Sequence, residues 1–133
     1  MQITTRTEYS IRALCELCFS ESPISLMSLS KEHKLPVKYL EHLFKDLKKS
    51  GIVYSVAGSK GGYKLKKNAE EITLLDILKA VDKESSIHNC NKSSEGEYCL
   101  GETCRFHIIW KKINSQIEEY YQKITLASII EEI

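Results

Sequence analysis

Residues 24–67 read ISLMSLSKEHKLPVKYLEHLFKDLKKSGIVYSVAGSKGGYKLKK, and this segment predicts two short helices, a tight turn and a β-hairpin. Ser28 or Ser30 is placed to cap the first helix, which is expected to run to about His33. Leu35 stands before Pro36, and a proline disfavours helical geometry at the residue that precedes it. The chain is therefore expected to turn at this point and to start a second helix.

The second helix is predicted from Val37 to Lys49, with Gly51 ending it as a C-cap. Its apolar residues recur at helical spacing and are expected to face inward: Leu40, Leu43, Phe44 and Leu47. Its outer face is mostly basic and carries Lys38, Glu41, His42, Lys45, Lys48 and Lys49. Two short helices joined by a tight turn, the second basic outside, predict a helix-turn-helix.

Two short alternating strands follow, predicted at Ile52–Val56 and Tyr63–Lys66. The connection Ala57–Gly62 contains three glycines and a lysine, which predicts a hairpin wing with a mobile basic tip. A glycine-rich loop that cradles a nucleotide phosphate is the alternative. That alternative is disfavoured because the loop lacks the Walker pattern and does not lead into a helix.

Charge is distributed unevenly behind the formal net charge of +1. Residues 31–67 hold ten lysines and three acidic residues, whereas the rest of the chain holds nine basic and fifteen acidic residues. A basic block on a nearly neutral chain is expected of a surface that binds a polyanion such as DNA. A solvated lysine-rich face is the alternative.

Helices are predicted on both sides of this segment. One runs from about Thr7 to Phe19, and a second is capped by Thr73. A long amphipathic helix follows near the end of the chain, and Thr125 restarts a short final helix. The long helix carries an apolar stripe at spacings of three and four: Phe106, Trp110, Ile113, Ile117, Tyr120 and Ile124. So long a stripe near the end of a small chain predicts a partner rather than a groove within the same chain.

Length, composition and cysteine usage limit the class of protein. A chain of 133 residues predicts one domain, and the N-terminus lacks the features of a signal peptide. With no apolar run of transmembrane length, a cytoplasmic protein is expected. Five cysteines in a reducing compartment are expected to be free thiols or metal ligands. No nucleophile–base arrangement is recognisable, so no enzymatic activity is predicted.

Three of the cysteines lie close together, at Cys90, Cys99 and Cys104, and His107 follows one helical turn later. Thiolates and an imidazole on a short segment form a soft ligand set suited to an iron–sulfur cluster or zinc. A structural zinc site usually has a Cys-x-x-Cys pair, which is absent here, so an iron–sulfur cluster is favoured over zinc or no metal. Cys15 and Cys18 are interpreted as core residues, with a thiol pair as the alternative.

Several segments together resemble a known family over nearly the whole chain. They are YLEHLFKDLKKSGIV (39–53), GSKGGYKL (58–65), ITLLDILKAVD (72–82), CRFHIIW (104–110) and ITLASII (124–130). These segments and the three cysteines are similar to the IscR/NsrR/RirA family of bacterial winged-helix regulators. Within that family, the spacing of Cys104, His107 and Trp110 is most similar to IscR.

The resemblance implies a homodimer crossed by the long C-terminal helices, with an iron–sulfur cluster in the loop before them. It carries ligand roles onto Cys90, Cys99, Cys104 and His107. Glu8 is the alternative fourth ligand, since NsrR-like members place an acidic ligand from the other subunit at that position; His88 is a weaker candidate. A 2Fe–2S cluster is favoured and 4Fe–4S is possible. The cysteine intervals of eight and four residues are less even than those of IscR.

The resemblance also places the helix with the outward basic face in the major groove of an operator. The DNA-binding residues implied on that helix and on the wing are Lys38, Tyr39, Glu41, His42, Lys45, Ser59 and Lys60. Ala57 stands where IscR has a wing arginine that enters the minor groove. The alternative role for Tyr39 is packing. The alternative role for Glu41 is an ion pair with Lys38 or Lys45 along the helix.

The expected fold is mainly α with a small β-hairpin, a winged helix-turn-helix followed by a long C-terminal dimerisation helix. Within one domain of residues 1–133, residues 1–82 form the DNA-binding part, 83–104 the cluster-binding loop and 105–133 the dimerisation helices. The predicted function is that of a homodimeric regulator whose binding to double-stranded DNA depends on an iron–sulfur cluster. A zinc-stabilised or metal-free winged-helix module for protein interaction is the alternative.

Overall fold

The computed structural model describes residues 2–82, 100 and 104–133. The predicted ligands Cys90 and Cys99, and the weaker candidate His88, lie outside the described residues. The described elements are α1 (Thr5–Phe19), α2 (Leu26–His33), α3 (Val37–Lys49), β1 (Val53–Val56), β2 (Gly62–Leu65), α4 (Leu74–Val81), α5 (Phe106–Lys123) and α6 (Leu126–Glu131). This part of the chain is mainly helical with one antiparallel hairpin, so the predicted fold class is confirmed.

The first two helices begin earlier than predicted. The Thr4 hydroxyl caps α1 by accepting a hydrogen bond from the Thr7 amide, so α1 starts at Thr5. The prediction that Ser28 or Ser30 caps α2 was wrong, because the Ser25 hydroxyl accepts from the Ser28 amide at 3.1 Å. Helix α2 therefore gains almost a full turn at its N-terminal end.

Helix α3 has the bounds that the sequence predicted, Val37 to Lys49. Its C-cap is Ser50, and Gly51 follows with a φ of 77°, a left-handed conformation that glycine adopts without steric cost. The amide of Ile52 then donates to the Leu47 carbonyl at 3.0 Å, and the chain turns directly into the hairpin.

Strand β1 starts one residue later than predicted and ends at Val56 as predicted, whereas β2 is displaced by one residue toward the N-terminus. Val53 pairs with Leu65 at one end of the ladder, and Val56 pairs with Gly62 at the other. Backbone pairing still reaches the residue predicted to start β1, because the Lys66 amide donates to the Ile52 carbonyl at 2.9 Å. On its other side, Tyr63 forms an isolated bridge with Ile24, which ties the base of the hairpin to the linker before α2.

The core lies between α1, α3 and α4, and it is closed by residues from α2, the hairpin and α6. The four apolar positions that were predicted to face inward on α3 are all fully buried. Phe44, at the centre, packs against the ring of Tyr63 with centroids 4.8 Å apart. Leu126 enters this core from α6.

The C-terminal segment returns to the start of α4 through paired backbone hydrogen bonds. Thr73 and Thr125 form an antiparallel bridge, and each caps the helix that follows it. The Leu74 amide donates to the Ile124 carbonyl at 2.8 Å, and the Leu126 amide donates to the Ile72 carbonyl at the same distance. The C-terminal end of α5 is thereby fastened to the start of α4.

Arg6 joins three helices at the other end of α4. Its Nε donates to the carbonyl of Val81 at 2.8 Å, and its Nη2 lies 3.1 Å from the Asp46 carboxylate on α3. The guanidinium therefore satisfies a carbonyl in the last turn of α4 that has no helical partner of its own. Sequence patterns had not indicated this contact, since 40 residues separate Arg6 from Asp46.

Among the helices of residues 2–82 and 104–133, none is both long enough and apolar enough to cross a membrane.

Candidate nucleic-acid interface and metal-ligand residues

The turn between α2 and α3 is held by local hydrogen bonds. Lys34 ends α2 with a φ of 55° and a ψ of 40°, the left-handed conformation that allows an abrupt change of direction. The Leu35 amide donates to the Ser30 carbonyl, and the Ser30 hydroxyl donates back to the Leu35 carbonyl. Pro36 then serves as the N-cap position of α3. The direction of α3 is therefore set by the three residues before it.

The outer face of α3 is available to a ligand. Lys38, Glu41, His42 and Lys45 are all exposed. In the part of the chain that the structure describes, Glu41 has no ion pair with Lys38 or Lys45 within 4.0 Å. The alternative role for Glu41, an ion pair along the helix, is therefore not seen. The Glu41 carboxylate lies on a basic face and is exposed to solvent.

Tyr39 differs from its neighbours on α3. It is half-buried, and its ring meets that of Tyr9 edge to face, with centroids 5.9 Å apart. The guanidinium of Arg12 in turn lies 5.4 Å from the Tyr9 ring. These contacts favour a packing role for Tyr39, which fixes the distance between α1 and the outer face of α3.

The wing is rigid at its base and open at its tip. A Cβ atom at Gly61 would collide with the backbone of Val56, so this tight turn requires glycine. Ser59 and Lys60 are exposed at the tip. Lys64, on β2, donates to the Glu21 carbonyl at 3.0 Å. Within the described hairpin, Lys60 is therefore the lysine whose ammonium group extends into solvent.

A second group of predicted site residues lies at the start of α5. Cys104 is a free, half-buried thiol, and His107 is half-buried one turn further on. Cys104 lies two residues before the start of α5, and the His107 amide lies 3.4 Å from the Cys104 carbonyl, so the backbone holds the two residues one turn apart. A thiol and an imidazole this close along the chain suit a soft metal or an iron–sulfur cluster, and these two residues are two of the four predicted ligands.

Glu8, the alternative fourth ligand, is exposed in the first turn of α1. An exposed carboxylate at that position remains accessible to a second copy of the chain, as the resemblance requires. Among the described residues of one copy, Glu8 and His107 form no ion pair with each other, so the choice between them stays a prediction.

Cys15 and Cys18 on α1 belong to the core. Cys15 is buried and Cys18 is half-buried against the core cluster. Burial raises the pKa of Cys15, and burial together with Cys15 raises the pKa of Cys18 to about 11. Both side chains are therefore neutral thiols at physiological pH, which agrees with their interpretation as packing residues rather than reactive ones.

Helix α5 leaves most of its apolar stripe uncovered. None of its residues is buried, although it is 18 residues long. The exposed apolar side chains on it are Phe106, Ile108, Ile109, Trp110, Ile113 and Tyr120. A contiguous exposed patch of this kind marks an interaction surface.

Comparison with known proteins agrees with the fold. A family model described as "Rrf2: Iron-dependent Transcriptional regulator" matches residues 3–132. The chain belongs to the Rrf2 family. The predicted resemblance to the IscR group is confirmed by relatives named HTH-type transcriptional regulator IscR. The relative from Pectobacterium atrosepticum is 32% identical over 134 residues, covering 98% of this chain and 79% of the relative. The one from Erwinia tasmaniensis is 33% identical with the same coverage.

Solved structures show the same fold at full length. The T. potens IscR matches with a TM-score of 0.73 and 30% identity, covering 99% of this chain and 88% of that one. CymR, described as the global cysteine regulator of B. subtilis, matches with a TM-score of 0.75 and 27% identity, covering 100% and 98%. As a member of this family and an IscR-like protein, the chain is a DNA-binding transcriptional regulator rather than an enzyme.

Proposed function

We propose that this Rrf2-family regulator is a cytoplasmic homodimer whose operator binding is controlled by an iron–sulfur cluster. The observation that supports the proposal is that Cys104 and His107 are both half-buried and lie one backbone turn apart at the start of α5, in a chain similar to IscR. Cys90, Cys99, Cys104 and His107 are the proposed ligands, with Glu8 of a second copy as the alternative to His107. In this arrangement residues 1–82 bind DNA, 83–104 hold the cluster and 105–133 form the dimer.

The DNA-binding surface combines α3 with the wing. Lys38, Lys45 and Lys60 are exposed cations that lie on phosphate-facing elements in a winged helix, and they supply affinity without sequence preference. Glu41 and His42 are the proposed base readers on the exposed face of α3. An acid on a basic surface is repelled by phosphates, so Glu41 is best used as an acceptor for a cytosine amino group.

The dimer is proposed to form through the uncovered stripe of α5. Within this stripe Tyr120 is 64% exposed and Phe106 is 58% exposed, and these side chains lose their contact with water only against a partner. A second copy supplies an identical helix, so the same stripe on both helices is self-complementary. In NsrR-like members the acidic ligand comes from the other subunit, so this pairing would allow Glu8 of one copy to serve as a ligand for the other.

Control of DNA binding then follows from linkage. A bound cluster would supply a redox-active and labile group at the start of α5. Cys104 and His107 fix that end of α5, while the pairing of Thr73 with Thr125 fixes the other end against α4. Cluster binding and operator binding would therefore favour the same arrangement of the dimer. Each binding event then changes the affinity of the dimer for the other.

The cluster is tested by anaerobic purification followed by an absorption spectrum with iron and acid-labile sulfide analysis. We expect a coloured wild-type protein, and loss of colour with a retained far-ultraviolet circular dichroism spectrum for Cys90→Ala, Cys99→Ala and Cys104→Ala. His107→Ala is expected to change the spectrum more than Glu8→Ala. The matched control is His42→Ala, which removes an exposed histidine far along the chain from the ligand segment. A colourless wild type with stoichiometric zinc would replace this proposal with the zinc-stabilised module.

The dimer is tested by sedimentation of Ile113→Asp and Ile117→Asp. Each variant places a charge in the proposed seam, and an unpaired charge buried there is strongly destabilising. We expect monomeric or insoluble protein. Lys111→Asp, on the same helix and exposed, is the control that keeps the dimer. A wild type that sediments as a monomer at micromolar concentration contradicts the proposal.

DNA binding is tested by selecting preferred sites from random duplexes and by titrations at several salt concentrations. Lys60→Ala is expected to weaken binding to all sequences alike, because a lysine at a wing tip acts on the backbone. Glu41→Ala is expected to relax base preference, by about 1–3 kcal/mol for one lost base contact. An unchanged motif for Glu41→Ala would remove Glu41 from the proposed readers.

A further inference from the structure

We propose that Glu16, Glu32 and His33 form a separate binding site for one first-row divalent metal ion, where α1 meets the C-terminal end of α2. One ligand atom from each of the three side chains lies within 4.8 Å of the other two. The residues come from two helices and lie outside the predicted cysteine ligand set. This site goes beyond the proposed cluster and does not depend on it.

The spacing of the donors fits a single ion. The Nε2 atom of His33 lies 3.7 Å from Oε1 of Glu16. Nitrogen and oxygen ligands bind such ions at about 2.0–2.2 Å, so two donors on one ion lie at most about 4.3 Å apart. The pair from Glu16 and His33 already satisfies this limit. Glu32 is exposed, and its side chain is free to rotate by the small remaining distance.

His33 supplies the second observation in favour of a ligand. The His33 side chain is 13% exposed, and its Nε2 atom is buried. This atom has no hydrogen-bond partner among the described residues. The nearest acceptor, on Glu16, lies beyond hydrogen-bonding distance. A buried ring nitrogen that makes no hydrogen bond and lies only at ion-pair distance from a carboxylate calls for an explanation, and an ion bound between the two groups provides one.

Arg12 contacts the opposite side of the same ring. Its Nη2 donates to the His33 carbonyl at 3.2 Å and lies 3.4 Å from Nδ1. An imidazole that binds a metal through Nε2 carries its proton on Nδ1. Metal binding therefore removes the acceptor that faces Arg12 and adds positive charge beside its guanidinium. Arg12 and the ion compete, while the backbone contact of Arg12 can remain.

The surroundings leave room for the rest of a coordination shell. Glu16, His33 and Arg12 border an open groove of about 390 Å³ that is otherwise lined by Ile11, Cys15, Phe19, Ile129 and Ile133. Three protein ligands with open positions toward solvent leave space for water, as in metal sites that are not fully enclosed.

The donor set also limits the kind of ion. One imidazole and two carboxylates suit manganese, iron, cobalt or zinc, whereas thiolates select zinc or iron–sulfur clusters. Mn²⁺ is therefore the probe that favours Glu16, Glu32 and His33 over the cysteine segment. The imidazole should retain Mn²⁺ in the presence of excess Mg²⁺, which prefers oxygen ligands alone.

Bound metal would fasten α1 to the end of α2, next to the turn of Lys34, Leu35 and Pro36 that orients α3. The ion would therefore stabilise the turn that precedes α3, the helix that is proposed to contact bases. An ion that binds only the folded chain raises its melting temperature by mass action.

The experiment is a titration of the full-length chain with Mn²⁺, followed by electron paramagnetic resonance of the free ion in excess Mg²⁺. We expect about one bound ion per chain. His33→Ala and Glu32→Gln should each lower the affinity for Mn²⁺ at least tenfold, and Glu32 is exposed, so its variant is expected to fold. Arg12→Ala should raise the affinity for Mn²⁺ severalfold. A gain in affinity cannot result from misfolding, so Arg12→Ala keeps the test informative if His33→Ala fails to fold.

The controls separate this site from the cysteine segment. His42→Ala and Glu21→Gln remove exposed side chains outside the trio and should leave the titration unchanged. The double variant Cys104→Ala, His107→Ala should also bind Mn²⁺ as the wild type does. The proposal is overturned if the wild type shows no saturable binding, or if Glu32→Gln and Arg12→Ala both leave the affinity unchanged. Loss of binding in the double variant with retention in Glu32→Gln would assign the ion to the cysteine segment instead.

Discussion

Replacing Arg6 with methionine should lower the free energy of unfolding by about 2 kcal/mol, since it removes a charged hydrogen bond and an ion pair. The Arg6 guanidinium donates to the carbonyl of Val81, a residue that is 4% exposed, and methionine leaves that carbonyl without its donor. A hydrogen bond from a charged group contributes about 1.5–3 kcal/mol when the partner is buried. The ion pair with Asp46 adds only about 0.5 kcal/mol, because Arg6 and Asp46 retain 38% and 26% exposure.

The assay is urea unfolding followed by far-ultraviolet circular dichroism at one fixed protein concentration. A changed midpoint with an unchanged m-value identifies a true loss of stability. Asp46→Asn and the double variant complete a cycle, in which the coupling between positions 6 and 46 should be about 0.5–1 kcal/mol. Arg12→Met is the control on the same helix, and its exposed contacts predict a loss below about 0.5 kcal/mol. A cost for Arg6→Met that equals the cost for Arg12→Met would refute the reasoning.

Three further predictions concern the wing, a helix cap and a core thiol. Gly62→Ala should destabilise the hairpin and weaken operator binding, because a Cβ there collides with the Ile24 backbone; amide exchange of the hairpin measures this. Thr73→Ala should cost about 0.5–2 kcal/mol in urea unfolding, since it breaks a capping box with Asp76. Cys18 should resist iodoacetamide at pH 8 in the folded chain, as its pKa is raised to about 11, and mass spectrometry locates the labelled thiols.

The Cys18 prediction has a defined sign with pH. In the folded chain the pKa of this thiol is about 11, whereas in the unfolded chain the thiol loses its proton near its ordinary pKa of 9.0. Stability from this group is therefore complete below pH 9 and declines as pH rises toward 11. Rapid labelling of Cys18 at pH 8 would contradict its burial.

Gly58→Ala is the control for Gly62→Ala, because alanine there is strained by a φ of 107° but its Cβ meets no atom within 4 Å, so the comparison isolates the collision with Ile24 from backbone strain.

Local signals predicted the helices that are capped and patterned by their own residues. Helix α3 has its predicted bounds, because Pro36 before it and Gly51 after it leave little choice of start and end. Thr73 and Thr125 were likewise identifiable as caps. The cap of α2 was misplaced since three serines lie between residues 25 and 30, and only the three-dimensional path of the chain selects Ser25.

Contacts between distant residues could not be predicted from the pattern of one sequence. Arg6 and Asp46 are 40 residues apart, and Glu16 and His33 belong to different helices. The outward side chains of α3 were predictable, because amphipathic spacing alone separates them from the core. Ligand roles for Cys104 and His107 remain predictions, although their place on one helical turn follows from their spacing.

The fold constrains the residues at the base of the wing but not those at its tip. Gly62 and Tyr63 are bound to the backbone of Ile24, so the base of the hairpin tolerates little change. Ser59 and Lys60 are exposed at the tip and contribute no side chain to the core. If the tip contacts the DNA backbone as proposed, substitutions there can change the overall affinity for DNA without loss of stability. Paralogues that share this scaffold can then differ in how tightly they bind DNA through the tip alone, while selection on folding keeps the base unchanged.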